Sequence, residues 1–407
     1  MKMTSKQFLA LVSTTLLTIG ALSIAIRTFS FKDREFKYRP FFRDKTEYDV
    51  LFFGTSHVIN GVFPMQLWHD WGITSYNFGE HGTPIPTSYW VMRNAVRYHK
   101  PKIAVLDINS IVENVPYIES WLRLSLGTFP LNLEKLRAIR DLTKPTDYMK
   151  FLFPYETYHN RWKEMSIADR WDSLFHTDST HEMGADSRSL VAKPAAVSLK
   201  SDRPLEKKTV SMEYIKKFVF FCRENNIVPI LINIPYPADE QQQRGANSAR
   251  ILAEELDVPY YNMLHMNIVD YDTDLSDPDS HLNPSGAYKV TEYIGQVLHD
   301  DFNVEDHRPD ADYENWNEFY NSYREFLVEN FYAHNDFKER LMLLTTSNFS
   351  AHIFLSEGTV LDDVEQKLLK QVEDSVTIEY VPHLKNNAKT LIHFQDKATG
   401  KEDDFYL

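Results

Sequence analysis

This sequence has a single cysteine and fewer basic than acidic residues, and each shortage excludes a class of protein. The single cysteine, Cys222, rules out a disulfide within the chain, and its apolar, helically periodic surroundings predict a buried structural thiol. The 44 basic and 58 acidic residues give a formal charge of −14, so we expect no nucleic-acid partner. Because the sequence has no glycine-rich phosphate loop and no dinucleotide-binding fingerprint, we also expect no cofactor.

Hydrophobic residues, by contrast, are abundant. Of the 407 residues, 43% are hydrophobic and 14% are aromatic, which is typical of a packed globular core and not of a disordered chain. A chain of this length accommodates one large domain and a smaller appendage.

A long uncharged run predicts a membrane anchor over residues 1–30, followed by a linker over residues 31–48. Residues 8–26 carry no charge, and this run is about long enough to cross the hydrocarbon core of a bilayer. It lacks the small-residue exit site of a cleaved signal peptide. Basic residues flank it on both sides, so the positive-inside rule does not choose the orientation cleanly. The alternative is a buried core helix.

Apolar strand patterns alternate with helical patterns between residues 49 and 308. We predict strands at residues 50–53, 75–78, 103–108, 228–234 and 260–261, and helices at residues 64–71, 87–98, 212–225, 239–256 and 284–298. Repeated units of this kind predict an α/β fold with a doubly wound, mostly parallel sheet.

Two regions depart from this alternation. An insertion over about residues 113–210 has the pattern of several helices followed by a polar loop, and it is either a lid over a binding site or additional core packing. The tail, residues 309–407, predicts a small α/β module without a recognisable catalytic motif. Its predicted strands are residues 341–345, 352–355, 375–381 and 390–394, and its predicted helices are residues 313–330 and 361–374.

Ser56 follows the first predicted strand, in the segment DVLFFGTSH at residues 49–57. Ligands bind beyond the carboxyl ends of the strands in open α/β sheets, and Gly54 lets the backbone turn sharply at that point. Ser56 is therefore either a nucleophile or the cap of the next turn.

His281 lies in a late loop, in the segment DPDSHLNPSG at residues 277–286. A neutral imidazole near Ser56 could take the hydroxyl proton. A carboxylate on the other ring nitrogen would hold the tautomer and stabilise the imidazolium, and Asp277 and Asp279 are the nearby candidates. The alternative is an ordinary polar surface loop.

Together these segments resemble the SGNH (GDSL-like) hydrolase superfamily over roughly residues 49–298. Ser56 matches its nucleophile, Gly79 its second-block oxyanion donor, Asn109 its third-block asparagine and His281 its catalytic base. Within the superfamily, HLNPSGAYKVTEYIG resembles membrane-anchored bacterial proteins of the cell envelope. These are similar to the proteins that D-alanylate lipoteichoic acid and O-acetylate alginate. The resemblance implies a flavodoxin-like SGNH fold.

The sequence departs from the superfamily pattern at the acid. The usual acid lies three residues before the histidine, and Pro278 occupies that position here. The role therefore passes to Asp277 or to Asp279. We favour Asp277, because a proline-containing loop can return its carboxylate to the imidazole ring.

The oxyanion formed during acyl transfer needs donors that are already aimed at it. The resemblance implies the backbone N–H groups of Ser56 and Gly79 and the side-chain amide of Asn109. The third block lacks the usual Gly-x-Asn-Asp pattern, so Asn77 and Asn60 are alternative amide donors.

One segment, HTDSTHE at residues 176–182, imitates a metal site. Its loop context and the absence of a helical pair of histidines four residues apart argue against zinc, so we expect no metal.

The hypothesis from the sequence is a membrane-anchored, serine-dependent acyl esterase or O-acyltransferase whose domain faces away from the cytoplasm. Its partners would be the membrane and a cell-surface glycopolymer or an acylated carrier. One alternative is a catalytically weakened scaffold or binding subunit of a polymer-modifying complex. Another is an anchored protein that faces the cytoplasm. The oligomeric state is left open.

Overall fold

The computed structural model places most of the chain in two compact units. The residues that it describes are 4–29, 37–38, 41–42, 45–152, 163–167, 171, 181–195, 200–278, 280–346, 349–396 and 400–407. The smaller unit combines Met1–Asp44 with Glu119–Ser179, and the larger unit combines Lys45–Ile118 with Thr180–Leu407.

A five-stranded sheet forms the centre of the larger unit. Its strands are β1 (Val50–Phe53), β2 (Ser75–Asn77), β3 (Ile103–Asp107), β4 (Val228–Asn233) and β5 (Tyr260–Asn262). All of its pairings are parallel, and the strands lie in the order 2-1-3-4-5. This is the flavodoxin-like, doubly wound order. The predicted α/β fold class is therefore confirmed.

In chain order, the helices described in the two units are α1 (Ser5–Phe29), α2 (Ser56–Gly61), α3 (Pro64–Trp71), α4 (Ile85–Ala95), α5 (Glu119–Leu124), α6 (Leu133–Leu142), α7 (Tyr148–Leu152), α8 (Val210–Glu224), α9 (Glu240–Leu256), α10 (Pro284–Asp300), α11 (Glu314–Ala333), α12 (Phe337–Leu344) and α13 (Asp363–Val372). Helices of the larger unit cover both faces of its five-stranded sheet. On one face, Val50 and Phe52 share a buried cluster with Ile294 of α10. On the other, Phe53 meets Phe218 of α8 with ring centroids 6.2 Å apart. Burial on both faces explains why β1 and the first four residues of β3 are apolar without interruption.

Local hydrogen bonds set where the helices around the site begin. The side chain of Asn283 caps α10 by accepting from the N–H of Gly286, and Pro284 occupies the first helical turn. Proline is favoured there because its missing N–H would have no partner within the helix. The cap ends the loop that carries His281, which lies two residues before Asn283.

A second sheet, with four strands, forms the C-terminal module of the larger unit. Its strands are β6 (Ser350–Ser356), β7 (Thr377–Val381), β8 (Thr390–Asp396) and β9 (Lys401–Tyr406), in the order 7-6-8-9. Strands β6 and β7 are parallel and are joined through α13, whereas β8 is antiparallel to both of its neighbours.

The prediction of a strand at residues 341–345 is wrong, because these residues form the second half of α12 and its C-terminal cap. The side chain of Asp336 caps α12 by accepting from the N–H groups of Lys338 and Glu339. Leu341 and Leu344 are both buried. The strand β9 was not predicted, because its charged sequence KEDD is atypical of a strand and forms an exposed edge.

The smaller unit contains α1 and α5 to α7. Ser5–Ala25 of α1 is long and apolar enough to cross a membrane, with a mean hydropathy of 2.0. Membrane anchors and signal sequences both have helices of this kind. Further along, Phe129 packs against Tyr38 and Phe42, with ring centroids 5.4 and 4.8 Å apart. The several helices predicted in the first part of the insertion are observed as α5, α6 and α7 within the described residues.

Candidate active site

Ser56 is the first residue of α2, directly beyond the end of β1. The chain reaches this position through Gly54, where an added Cβ would lie 2.6 Å from Val58 Cγ2 and 2.9 Å from Asp107 Cβ. Any larger residue would clash there. Thr55 caps α2 by accepting from the N–H of His57. The sharp turn and the cap leave the Ser56 side chain half-buried at the carboxyl edge of the sheet.

His281 links Ser56 to Asp277 in one hydrogen-bonded chain. Its Nε2 lies 2.7 Å from Ser56 Oγ, and its Nδ1 contacts Asp277 Oδ2. The side chains of His281 and Asp277 are 18% and 30% exposed, so water screens the electrostatic interaction between them only in part. The structure thus brings together the three residues predicted as nucleophile, base and acid. Asp279, the alternative acid, lies outside the described residues.

The loop carrying Asp277 closes tightly enough for the acid to reach an imidazole four residues away. Asp277 Oδ1 accepts from the N–H of Ser280 at 3.0 Å and from the N–H of His281 at 3.3 Å. Partial burial works against ionisation, but the hydrogen bonds from Ser280 and His281 outweigh it and hold the pKa of Asp277 below its ordinary value. The carboxylate is therefore available as an acceptor at neutral pH.

Asn109 lies beyond the end of β3, at the first position of a short 3₁₀ helix. Strands β1 and β3 flank the point where the strand order reverses, which is where ligands bind in such sheets. Thr55 Oγ1 donates to Asn109 Oδ1 at 2.9 Å, which directs the amide nitrogen elsewhere. Within the described residues, neither Asn109 Nδ2 nor the backbone N–H of Ser56 has an acceptor. Both donors are available to an oxyanion.

Gly79 does not have the predicted role of oxyanion donor in this structure. Its backbone N–H donates to Asn77 Oδ1 at 2.8 Å. A Cβ at this position would lie 2.5 Å from the backbone nitrogen of Ile59. Glycine is therefore required for close packing against α2, and its N–H is already used.

Asn77 and Asn60, the alternative amide donors, are also committed to structural hydrogen bonds. Asn77 Nδ2 donates to the carbonyl oxygens of Val58 and Val62 at 2.7 and 2.8 Å. Asn60 Nδ2 donates to the carbonyl oxygen of Asp186, and both asparagines are buried. The structure therefore favours Asn109 over both alternatives.

Removing the Asn109 amide is expected to lower kcat for ester turnover by a factor of about 10²–10³, with little change in KM, because one preorganised oxyanion donor contributes about that much. The measurement is the steady-state rate of the Asn109→Ala variant. Ser110→Ala is the matched control, because the Ser110 hydroxyl is buried without a hydrogen-bond partner among the described residues. A rate within twofold of wild type for Asn109→Ala would remove Asn109 from the site.

His57 is a buried second histidine beside the site that the sequence did not single out. Its ring lies edge-on to Tyr236 and to His281, with centroids 4.4 and 5.9 Å away. Burial, and secondarily the proximity of His281, lower the pKa of His57 to about 3. His57 is therefore neutral at physiological pH and does not compete with His281 for the proton of Ser56.

Asp107, at the end of β3, is a fully buried carboxyl beneath Gly54. Its Oδ1 accepts from the N–H of Ile234 at 3.1 Å, and its Oδ2 has no partner among the described residues. Burial outweighs the backbone hydrogen bonds and raises the pKa of Asp107 from 3.8 to about 7.

This shift predicts a pH-dependent stability difference for Asp107→Asn. The protonated carboxyl stabilises the fold fully below pH 3.8, and this contribution is lost as the pH rises to about 7. Asparagine does not titrate, so the variant should gain stability relative to wild type over this range, by at most about 4 kcal/mol. Thermal unfolding between pH 4.5 and 8 measures it, with the exposed Asp312→Asn as control. A difference independent of pH would show that Asp107 titrates normally.

The segment at residues 176–182 falls largely outside the described residues. Across the part of the chain that the structure does describe, no cluster of three or more His, Cys, Asp or Glu side chains could hold a metal ion.

Burial raises the pKa of Cys222 to about 12, so it is protonated at neutral pH and no thiolate is available there.

Comparison with known proteins gives structural neighbours only. No protein-family model matches the chain, and no curated protein matches it. One similar solved structure is a protein from Desulfitobacterium hafniense assigned to the G-D-S-L lipolytic family. It is 14% identical with a TM-score of 0.32, over 61% of this chain and 98% of that one. Another is a protein from Bacteroides fragilis described as an acylhydrolase, 12% identical with a TM-score of 0.32, over 63% and 89% of the two chains.

Proposed function

We propose that this protein is a serine-dependent acyl esterase or O-acyltransferase of the SGNH type. The observation that carries the proposal is the continuous chain from Ser56 Oγ through His281 to Asp277. A serine hydroxyl is a weak nucleophile unless a base takes its proton, and a base oriented by a carboxylate supplies that activation. These three residues lie at the edge of the sheet where ligands of this fold class bind.

In the first half-reaction, Ser56 Oγ attacks the acyl carbon while His281 Nε2 takes the hydroxyl proton. Asp277 stabilises the imidazolium that forms. The negative charge passes to the former carbonyl oxygen, which accepts from the backbone N–H of Ser56 and from Asn109 Nδ2. When the intermediate collapses, the bond to the leaving oxygen breaks, and His281 returns its proton to that oxygen. The product is an acyl ester on Ser56.

The second half-reaction decides between esterase and transferase. His281 takes a proton from the incoming hydroxyl, whose oxygen attacks the acyl-Ser56 carbon, and Ser56 leaves with its proton restored by His281. Water as the incoming group gives hydrolysis, and a sugar hydroxyl gives transfer. The two activities share one covalent intermediate.

The proposed setting is the cell surface, with the domain held by α1 in the membrane and facing outward. The apolar helix Ser5–Ala25, which carries no charge after Lys6, supports an anchor. The resemblance of residues 281–295 to envelope proteins supports a glycopolymer or an acylated carrier as the substrate.

The rival proposal is a scaffold subunit with a weakened site. One observation favours it, because the N–H of Gly79 is already used and the oxyanion would have two donors instead of three. Against it stands the contact of Asp277 with His281, which supports an acid role for Asp277 despite its spacing of four residues.

The experiment that tests the proposal measures p-nitrophenyl ester turnover by the full-length chain in detergent. Short and longer acyl chains are compared, and a polyol or oligosaccharide acceptor is added in a parallel series. We expect saturable nitrophenol release, with acylated acceptor, detected by mass spectrometry, if transfer is the natural reaction. No release with any ester, together with no acylated acceptor, would overturn the enzyme proposal in favour of the scaffold.

A further inference from the structure

We propose that the C-terminal module is part of the catalytic apparatus, because its helix α13 holds the loop that carries Asp277 and His281 in the reactive position. This inference rests on the proposed function, since it assigns a positioning role toward the same Ser56–His281 pair. It gives a task to a region in which the sequence shows no catalytic motif.

Lys367 of α13 makes the first connection. Its Nζ lies 2.9 Å from Asp270 Oδ2 and 2.6 Å from Asp272 Oδ2, on the stretch that leads into the loop. The carboxylates of Asp272 and Asp270 raise the pKa of Lys367, so the ammonium group is charged at any physiological pH. The ammonium group of Lys367 therefore binds two carboxylates on the residues that precede the loop, which spans residues 275–282.

Gln371, one helical turn further along α13, makes the second connection. Residues four positions apart lie on the same face of a helix. Gln371 Nε2 donates to Thr273 Oγ1 at 2.9 Å, and Gln371 Oε1 accepts from Lys289 Nζ at 3.1 Å. The same face of α13 therefore contacts both the loop and the helix α10 that follows it.

Asp274 joins these contacts beneath the loop. It is fully buried, and its carboxylate accepts from Lys289 Nζ at 2.7 Å, from Ser285 Oγ at 2.9 Å and from the N–H of Asp270 at 2.8 Å. A buried carboxylate requires such partners, because an unpaired charge in this position would be costly. Lys289 is thus shared between Asp274 and Gln371.

The hydrogen bonds continue from Asp274 to the imidazole-bearing residue itself. The backbone oxygen of Asp274 accepts from the N–H of Asn283, and Leu275 pairs with Leu282 across the base of the loop. Ser276 N–H then donates to the carbonyl oxygen of His281 at 2.8 Å. A displacement of the loop base would therefore be passed to the ring that faces Ser56.

The alternative is that these contacts only stabilise the module. A merely structural role would lower stability without changing the rate of the folded enzyme. A positioning role would lower kcat, because small misplacements of a catalytic group are costly, while leaving KM largely unchanged. Lys367 is 42% exposed, so its ion pairs contribute little to stability and its replacement should not unfold the protein.

The test compares Lys367→Met with Lys370→Met in the full-length chain. Lys370 is an exposed residue of the same helix and forms no ion pair or hydrogen bond within the described residues. We expect Lys367→Met to lower kcat about tenfold with KM within twofold of wild type. It should also speed amide hydrogen exchange in residues 275–282. Lys370→Met should change neither quantity, and Lys367→Arg, which keeps the charge, should restore both.

Two outcomes would overturn the inference while the proposed function stands. Wild-type turnover with an unchanged rate in Lys367→Met would exclude a positioning role, whether or not hydrogen exchange in the loop increased. A reduced rate in Lys370→Met would show that any change on α13 has the same effect. If wild type turns over no ester, the proposed function fails, and the exchange measurement still decides whether α13 holds the loop.

Discussion

Replacing Ser56 with alanine is expected to abolish ester turnover, lowering kcat by a factor of about 10⁴ or more. Within the described residues, Ser56 Oγ has one hydrogen-bond partner, the Nε2 of His281. Losing the hydroxyl therefore removes the attacking atom and leaves the fold intact. The residual rate would come from oxyanion stabilisation and substrate binding alone.

The measurement is the steady-state rate of Ser56→Ala beside wild type and Ser110→Ala, which alters a serine at the same edge of the sheet. Thermal unfolding of each variant shows whether the fold is retained. Retention of more than about one-tenth of the wild-type kcat by Ser56→Ala would contradict nucleophilic catalysis by Ser56, because loss of a triad serine costs far more than that.

Replacing Asp277 with asparagine is expected to lower kcat by a factor of about 10²–10⁴. The carboxylate accepts from His281 Nδ1, which fixes the tautomer that leaves Nε2 free to take a proton from Ser56. An amide at that position neither stabilises the imidazolium nor selects the same tautomer. The size of the effect depends on how far the loop holds the ring in place without the charge.

Asp279→Asn is the matched control for this prediction, because Asp279 lies two residues away and is the other acid that the sequence offers. We expect its kcat to remain within about threefold of wild type, because Asp277 already contacts His281 Nδ1 in the position of the acid. A loss in Asp279→Asn with none in Asp277→Asn would transfer the acid role to Asp279.

Much of the site could be predicted because chain order and sheet topology constrain it. Residues 50–53 and 103–106 are apolar runs of the kind that a doubly covered parallel sheet requires. Residues that follow such strands meet at one edge, so Ser56 and Asn109 had to be neighbours once the strand order was known. His281 was predicted beside them from the resemblance of its loop and helix entry to the SGNH superfamily.

The direction of individual donors could not be predicted in the same way. Whether the N–H of Gly79 points at a substrate or at Asn77 Oδ1 depends on a rotation of one peptide group, which the motif does not encode. The availability of the Asn109 amide likewise depends on a hydrogen bond from Thr55, 54 residues away in sequence. Side-chain partners at this separation leave no local pattern.

The C-terminal module shows the same limit on a larger scale. The apolar run at residues 341–345 predicts a strand, but a short apolar run fits a buried helix equally well, and residues 341–344 are helical. The contact of Lys367 with Asp270 spans 97 positions. Lysine and glutamine on a helix surface are so common that nothing in the sequence marked this face of α13.

The central claim is that Ser56 is a nucleophile activated by His281. The most direct test treats the full-length wild-type chain with a fluorophosphonate probe and locates the adduct by peptide mass spectrometry, with His281→Ala in parallel. The predicted result is a single adduct on Ser56 that forms far more slowly in His281→Ala. An adduct on another residue, an unmodified Ser56, or equal labelling of the two proteins would contradict it.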